Sequence, residues 1–359
     1  MRTAFSRRLF GALSAAALLA CTLPGTASAE PKKDFKLAWS IYVGWVPWQY
    51  AEDSGILKKW ADKYGLTIDV VQINDYVESI NQFTAGQFDA VTLTNGDALA
   101  IPAAGGVDST ALILGDYSNG NDAIILKKGT ALADIKGQKV NLVELSVSHY
   151  LLARGLEKVG LSEKDITVVN TSDADMIAAA ATPEVTAVVT WNPLVSEVLA
   201  MPGTTKVFDS SAIPMEITDL TLVNTQTLKD NPDFGKALVG AWYETMAAMK
   251  DEGEPGKEAR AAMAKIVGSS PESFDDQLTT TKMYWEARDG VAFARDPKLI
   301  EAMSLVAKFS FDKGLLGGGA KSPDDVGMEF PGGKTLGNTA NIKLRFDDAY
   351  MALAADGKL

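Results

Sequence analysis

Short apolar runs of strand length alternate with helix-compatible stretches between residues 35 and 223, and the alternation begins afresh at residue 122. Residues 35–41 (FKLAWSI) read as a strand that enters an aromatic loop, 42–48 (YVGWVPW), broken by Gly44 and Pro47. Residues 49–64 are helix-compatible despite Gly55, 66–73 (LTIDVVQI) form a second strand, 76–85 a helix, and 88–93 (FDAVTL) a buried strand leading through Thr94 to Asn95, Gly96 and Asp97. A strand at 109–114 ends in GDYSNGND. The second run has strands at 123–126, 138–143, 166–169 and 185–190, with helices at 147–159 and 173–181; residues 207–208 and 220–223 complete the set. Residues 228–309 are mostly helical by pattern, with breaks at 253–255 and 268–271, and the Gly-, Pro- and Asp-rich tail 313–337 reads as irregular. Two α/β units with polar and aromatic residues at their strand ends imply a ligand cleft between two lobes.

The first 29 residues pair a basic start (MRTAFSRR) with an apolar run (LFGALSAAALLA) and an Ala27-Ser28-Ala29 site, the pattern of a secretory leader. Ser6 to Phe10 match much of a twin-arginine pattern, and Leu18 to Cys21 loosely resemble a lipoprotein site, but a soluble periplasmic product starting near Glu30 is expected. Cleavage removes the sole cysteine, Cys21, together with Arg2, Arg7 and Arg8, and takes the net charge from -12 to -15. Such an acidic chain without a basic run is a poor nucleic-acid partner. One His and one Cys leave no set for a zinc site or a Cys-His nucleophile.

Trp39, Tyr42, Trp45 and Trp48 lie within ten residues. Trp39 and Trp48 are expected in lobe cores, and Trp45, between Gly44 and Pro47, in the cleft. Asn95, Asp97, Asp116, Tyr117, Glu144, Trp191 and Asp219 lie near strand ends and are candidate ligand contacts. Ring faces with carboxylates suit an organic cation or a neutral amide donor. Asp97, Asp116 and Glu144 could equally cap helices or face solvent, and Asp219 could close a lobe boundary. Ser146 and Ser148 read as helix caps at a position where an anion could also bind. His149 is expected on a helix face or lining the cleft. No G-x-G-x-x-G or G-x-S-x-G occurs, and the GLLGGG of 314–319 lacks the Lys and Ser or Thr of a phosphate loop. No catalytic residue, metal site or cofactor is therefore expected.

Four segments in order, WVPWQYAEDSGILKK, INQFTAGQFDAVTLTNGDAL, IKGQKVNLVELSVSHYLLARGLEKVGL and AVVTWNPLVSEVL, make residues 35–250 resemble the solute-binding proteins of ABC importers. The similarity is to the branch that binds sulfonates, nitrate, thiamine-pyrimidine precursors and urea-like compounds, and most of all to its urea and guanidine members. The resemblance implies an α/β, two-lobed periplasmic binding protein fold of type II. It also implies a cleft between lobes joined by crossover strands, and delivery of a small polar solute to an inner-membrane permease with a cytoplasmic ATPase. Lobe 1 is expected at 30–122 and 224–359, lobe 2 at 123–223, in a monomer. Carried over from the family, Trp45, Asn95, Asp97, Glu144 and Trp191 line the cleft. Glu144 and Asp116 depart from what a sulfonate or nitrate binder would offer, so guanidinium is the favoured solute, held by Glu144 or an aspartate and stacked on Trp45 or Trp191. Urea or another amide, a thiamine-pyrimidine precursor, and sulfonate or nitrate are alternatives; an exported enzyme on the same fold is the remote one.

Overall fold

The computed structural model describes residues 32–359. The expected leader, its cleavage site and Cys21 lie outside the described residues. Among those described, no helix is long and apolar enough to cross a membrane.

The chain first builds β1 (Asp34–Trp39), β2 (Thr67–Gln72), β3 (Ala90–Thr94) and β4 (Ser109–Ser118). Residues 119–122 then cross to a second sheet made of β5 (Ala123–Leu126), β6 (Lys139–Leu142), β7 (Thr167–Asn170), β8 (Ala187–Thr190) and β9 (Thr205–Asp209). Residues 210–217 bring it back to β10 (Thr218–Asn224), β11 (Thr281–Met283), β12 (Gly327–Phe330), β13 (Lys334–Leu336) and β14 (Ile342–Phe346). The first sheet has the order β13-β12-β14-β4-β10-β3-β1-β2, with β11 paired to β4, and the second has the order β7-β6-β8-β5-β9. In each lobe the strand that arrives from the other lobe inserts antiparallel, β10 between β3 and β4 and β5 between β8 and β9. The two-lobed α/β expectation therefore holds.

Three expectations are corrected. The return to the first lobe precedes residue 218 rather than falling at 223/224, because β10 is hydrogen-bonded into the first sheet along its length. The tail expected to be irregular supplies β12 and β13, which with β14 extend the first sheet beyond β4. The single helix expected over 49–64 is two, Pro47–Asp53 and Ile56–Lys63, because Gly55 takes a left-handed φ of 81° that ends one and starts the other.

Packing on the first sheet fixes the loop that reaches the cleft. The helix Pro232–Lys250 lies against it, with Phe234 stacked on Phe35 at 4.1 Å and Trp242 against Trp48 at 5.2 Å between ring centroids. Trp39 and Trp48 are fully buried, as expected for core residues, and the Trp48 indole donates to Thr221 Oγ1 at 3.2 Å. Each such ring stabilises the lobe by about 2–3 kcal/mol through burial. With Trp39 and Trp48 anchored on either side, residues 40–46 are held across the sheet edge.

Candidate functional site

The site begins with one row of three paired residues. Asp219, near the start of β10, has Thr94 at the end of β3 on one side and Asp116 near the end of β4 on the other. Register slips by one residue between Asp219 and Leu220, which leaves Gly115 as a bulge in β4. Residues facing each other across antiparallel strands share a face, so the two aspartates lie side by side. In the second lobe, Asp122 immediately precedes β5 and Trp191 immediately follows β8, and the adjoining Ala123 and Thr190 are paired. The two sheet edges thus present carboxyl groups and an indole to each other.

Between them lies a cavity with about 250 Å³ of atom-free space, lined by Tyr42, Trp45, Tyr76, Thr94, Asp122, Val147, Trp191, Ile217 and Asp219. Trp45 stacks on Tyr76 at 5.4 Å and meets Tyr42 edge-on at 4.9 Å, while Trp191 meets Tyr76 edge-on at 5.5 Å. The Trp191 indole donates to the Ile41 carbonyl at 3.1 Å, and the Tyr76 amide donates to Asp173 at 3.3 Å, so both bonds span the lobes. The described lining contains no Lys, Arg or His.

Burial raises every carboxyl around this cavity. Desolvation lifts Asp122 to about 7, with Asp116 and Asp97 adding repulsion and the Ser118 hydroxyl opposing the rise from 2.5 Å. Asp116 and Asp219 are raised chiefly by desolvation, and Asp219 further by the adjacent Asp116 charge. The Tyr42 hydroxyl donates to Asp116 Oδ1 at 2.8 Å, while Asp116 Oδ2 is buried with no hydrogen-bond donor in reach. Gly44 makes room for this carboxyl: a Cβ there would stand 2.5 Å from Asp116 Oδ2 and 2.4 Å from the Tyr42 ring. Gly44→Ala should displace both groups and weaken solute binding about tenfold, in line with the 1–3 kcal/mol cost of overpacking. Calorimetric titration measures the loss, and unchanged affinity would show that the Tyr42–Asp116 contact does not shape the cavity.

Asp97 has a different task. Its carboxylate accepts from Tyr76 OH at 2.6 Å, Thr94 Oγ1 at 2.9 Å and the Val147 amide at the head of the helix Val147–Lys158. Desolvation still lifts it to about 6, against these three bonds. The helix N-terminus, where an incoming anion would be favoured, is therefore occupied by a carboxylate of the protein itself.

Of the eight candidates, the structure brings Trp45, Trp191 and Asp219 into the cavity wall and puts Asp116 directly behind Asp219. Asn95 is buried beside the cavity, where its amide donates to the Glu216 carbonyl and accepts from the Thr218 amide, tying down the returning crossover. Tyr117 faces away from the cavity toward Tyr284 and Phe293. Glu144 is exposed at the cleft mouth beside Asp75 and Glu78, not in the cavity, so its expected bidentate contact with solute is not formed by this arrangement. Ser146 caps its helix as expected, by accepting from the Ser148 amide. His149 is buried on that helix, with Nδ1 accepting from the Leu145 amide at 3.0 Å and Nε2 3.2 Å from Glu163, which is paired in turn with Lys313 of the other lobe. Six lining residues are not among the candidates: Thr94, Val147 and Ile217, and the aromatic or acidic Tyr42, Tyr76 and Asp122. Tyr42 belonged to the aromatic loop, Asp122 closed GDYSNGND, and Tyr76 had no signal beyond opening a helix.

Residues 118–254 match the family model described as NMT1/THI5 like. A protein of Brucella abortus that carries the provisional name of a binding protein is 24% identical over 236 residues, 64% of this chain and 73% of its own length. The alkanesulfonate-binding protein SsuA of Xanthomonas axonopodis pv. citri, bound to MOPS, superposes with a TM-score of 0.67 at 18% identity, covering 80% of this chain and 96% of its own. The periplasmic aliphatic sulphonate binding protein SsuA of Escherichia coli gives 0.65 at 19%, covering 81% and 95%. The periplasmic nitrate-binding protein NrtA of Synechocystis PCC 6803 gives 0.58 at 13%, covering 91% and 99%. The chain thus has the two-lobed α/β fold of periplasmic binding proteins.

Proposed function

We propose that this chain is the extracytoplasmic solute-binding component of an ABC importer and that it captures a small organic cation of the guanidinium class. One observation carries the choice of solute: an aromatic cavity between the lobes is walled by Asp122 and Asp219, backed by Asp116, and has no basic side chain in its described lining. A desolvated cation between ring faces and carboxylates gains from both, by about 2 kcal/mol for a good cation–π contact alone. A sulfonate or nitrate would meet carboxyls and no basic side chain there, with the nearby helix N-terminus already taken by Asp97. Among the described residues no group of three or more His, Cys, Asp or Glu could hold a metal ion, which favours an organic cation over a metal cargo. Planar guanidinium, a donor through every N–H, matches carboxyls that only accept once ionised.

A second reading is a neutral amide such as urea. The Trp45 indole N–H is buried with no acceptor in the protein, and a carbonyl oxygen would supply one. In either case, contact with both lobes makes closure favourable, and the closed form would be handed to a membrane permease driven by an ATPase. The leader pattern supports a periplasmic product.

Thermal unfolding of solute-stripped mature protein with guanidinium chloride, urea, taurine, nitrate and a pyrimidine tests the reading. Guanidinium at one hundred times its Kd should stabilise by about 2.7 kcal/mol, and taurine and nitrate should have no effect. Stabilisation by taurine or nitrate with none by guanidinium would overturn the cation assignment.

A further inference from the structure

Asp116 does not line the cavity, yet it adjoins Asp219, which does. It stands beside Asp219 across β4 and β10, both are buried, and the two carboxyls lie within hydrogen-bonding reach of each other. Asp116 Oδ1 is taken by Tyr42 OH, and Oδ2 has no donor in the protein. The other groups around the pair are Tyr42 from the 40–46 loop, Thr94 from β3, Thr281 from β11, Asp122 from the crossover and Tyr284 beyond β11. All are neutral or acidic, and among the described ion pairs none involves Asp116, Asp122 or Asp219. Two carboxylates in contact in such a place cannot both stay ionised without a cation, and a proton between them gives Oδ2 its missing donor.

Resting on the cation reading above, we propose that Asp116 and Asp219 share one proton which an entering cation displaces. This exchange, rather than the outline of the cavity, would separate guanidinium from a neutral amide of the same shape. A cation leaves the site's charge unchanged when the proton departs to solvent: one positive charge enters and one leaves. Urea brings no charge and cannot expel the proton, so Asp219 stays partly engaged with Asp116 and offers it less. Asp122, on the opposite wall, adds to the same exchange where it is protonated.

Calorimetric titration of the full mature chain with guanidinium chloride and with urea, in phosphate and in Tris between pH 5.5 and 8, reads this directly. Guanidinium keeps its charge across that range. Its affinity should rise with pH by about tenfold per unit for each proton displaced, and its binding heat should differ between buffers by the ionisation heat of about one proton. Urea should show neither effect. Asp116→Asn keeps the acceptor for Tyr42 and donates to Asp219 in place of the proton, so guanidinium should still bind while the pH slope and buffer dependence fall to the share left to Asp122. Guanidinium binding with no slope and no buffer dependence in the wild type would overturn the exchange and leave the cation reading standing, as would an undiminished slope in Asp116→Asn. Failure of guanidinium to bind at any pH while urea or taurine binds would overturn both.

Discussion

Asp219→Asn should weaken guanidinium binding about a hundredfold or more, since loss of one partner from a buried charge pair costs about 3–5 kcal/mol. The substitution keeps the size and one oxygen of the side chain, so the cavity, the bulge at Gly115 and the neighbouring Thr94 should stay in place. It removes a charge that sits on the cavity wall between Thr94 and Asp116 and leaves Asp122 as the other carboxyl of the described lining. Urea affinity should change less than tenfold, because an amide hydrogen-bonds nearly as well to Asn as to Asp. The protein should also become more stable at neutral pH, since one of two adjoining buried carboxyls is gone. Titration of both solutes into the variant decides the matter: equal losses for guanidinium and urea would mean that shape, not charge, is read at Asp219.

Stability should fall as pH rises from 6 to 8. Desolvation holds Asp122 at about 7, and Asp97 and Asp173 at about 6, whereas an unfolded carboxyl titrates near 4. A carboxyl raised on folding contributes stability that is whole below the unfolded value and is lost as pH climbs through the folded one. Asp122 alone then costs more than about 1 kcal/mol between pH 6 and 8, and Asp116 and Asp219, raised as well, bring the total to at least about 2 kcal/mol. Groups lowered on folding, such as Glu163 and Asp209, act in the opposite sense but only as pH falls toward 4 and below. Burial lowers His149, so its charging is a cost only below about 6.5. Calorimetric melting should give a Tm about 3 °C or more lower at pH 8 than at pH 6, and saturating guanidinium should shrink the gap. A Tm equal or higher at pH 8 would show that the cavity carboxyls ionise without penalty.

The alternation of apolar runs was enough to read the strands β1 to β10, down to the ends of β5, but not β11 to β14, which complete the first sheet. It also led to Trp45, which had no helix or strand of its own to fill. What eluded it was direction. Asp116 and Tyr117 are consecutive in one strand and point to opposite sides, and the strand runs on to Ser118 where the Gly suggested an end at 114. Glu144 follows a strand as Asp122 precedes one, yet only Asp122 faces inward, because the crossover carries it across the sheet edge while Glu144 leaves toward the mouth. Tyr76 comes from a helix start and reaches the cavity through a fold-level encounter that no local pattern encodes. The strands β12 and β13 lie in a Gly- and Pro-rich segment where composition argues for a loop, and tertiary pairing with β14 overrides it.

Asp122 belongs to one crossover segment and is bound by Ser118, whose hydroxyl also meets Ser210 of the other crossover at 2.6 Å. A carboxyl of the cavity wall is thus tied to both crossovers, where a hinge between the lobes would pivot. At a pivot the lever arm is short, so a small displacement there swings the far rims of the lobes through a much longer arc. If the lobes close on a solute as proposed, a molecule of a few atoms would in this way command the separation of surfaces it never touches.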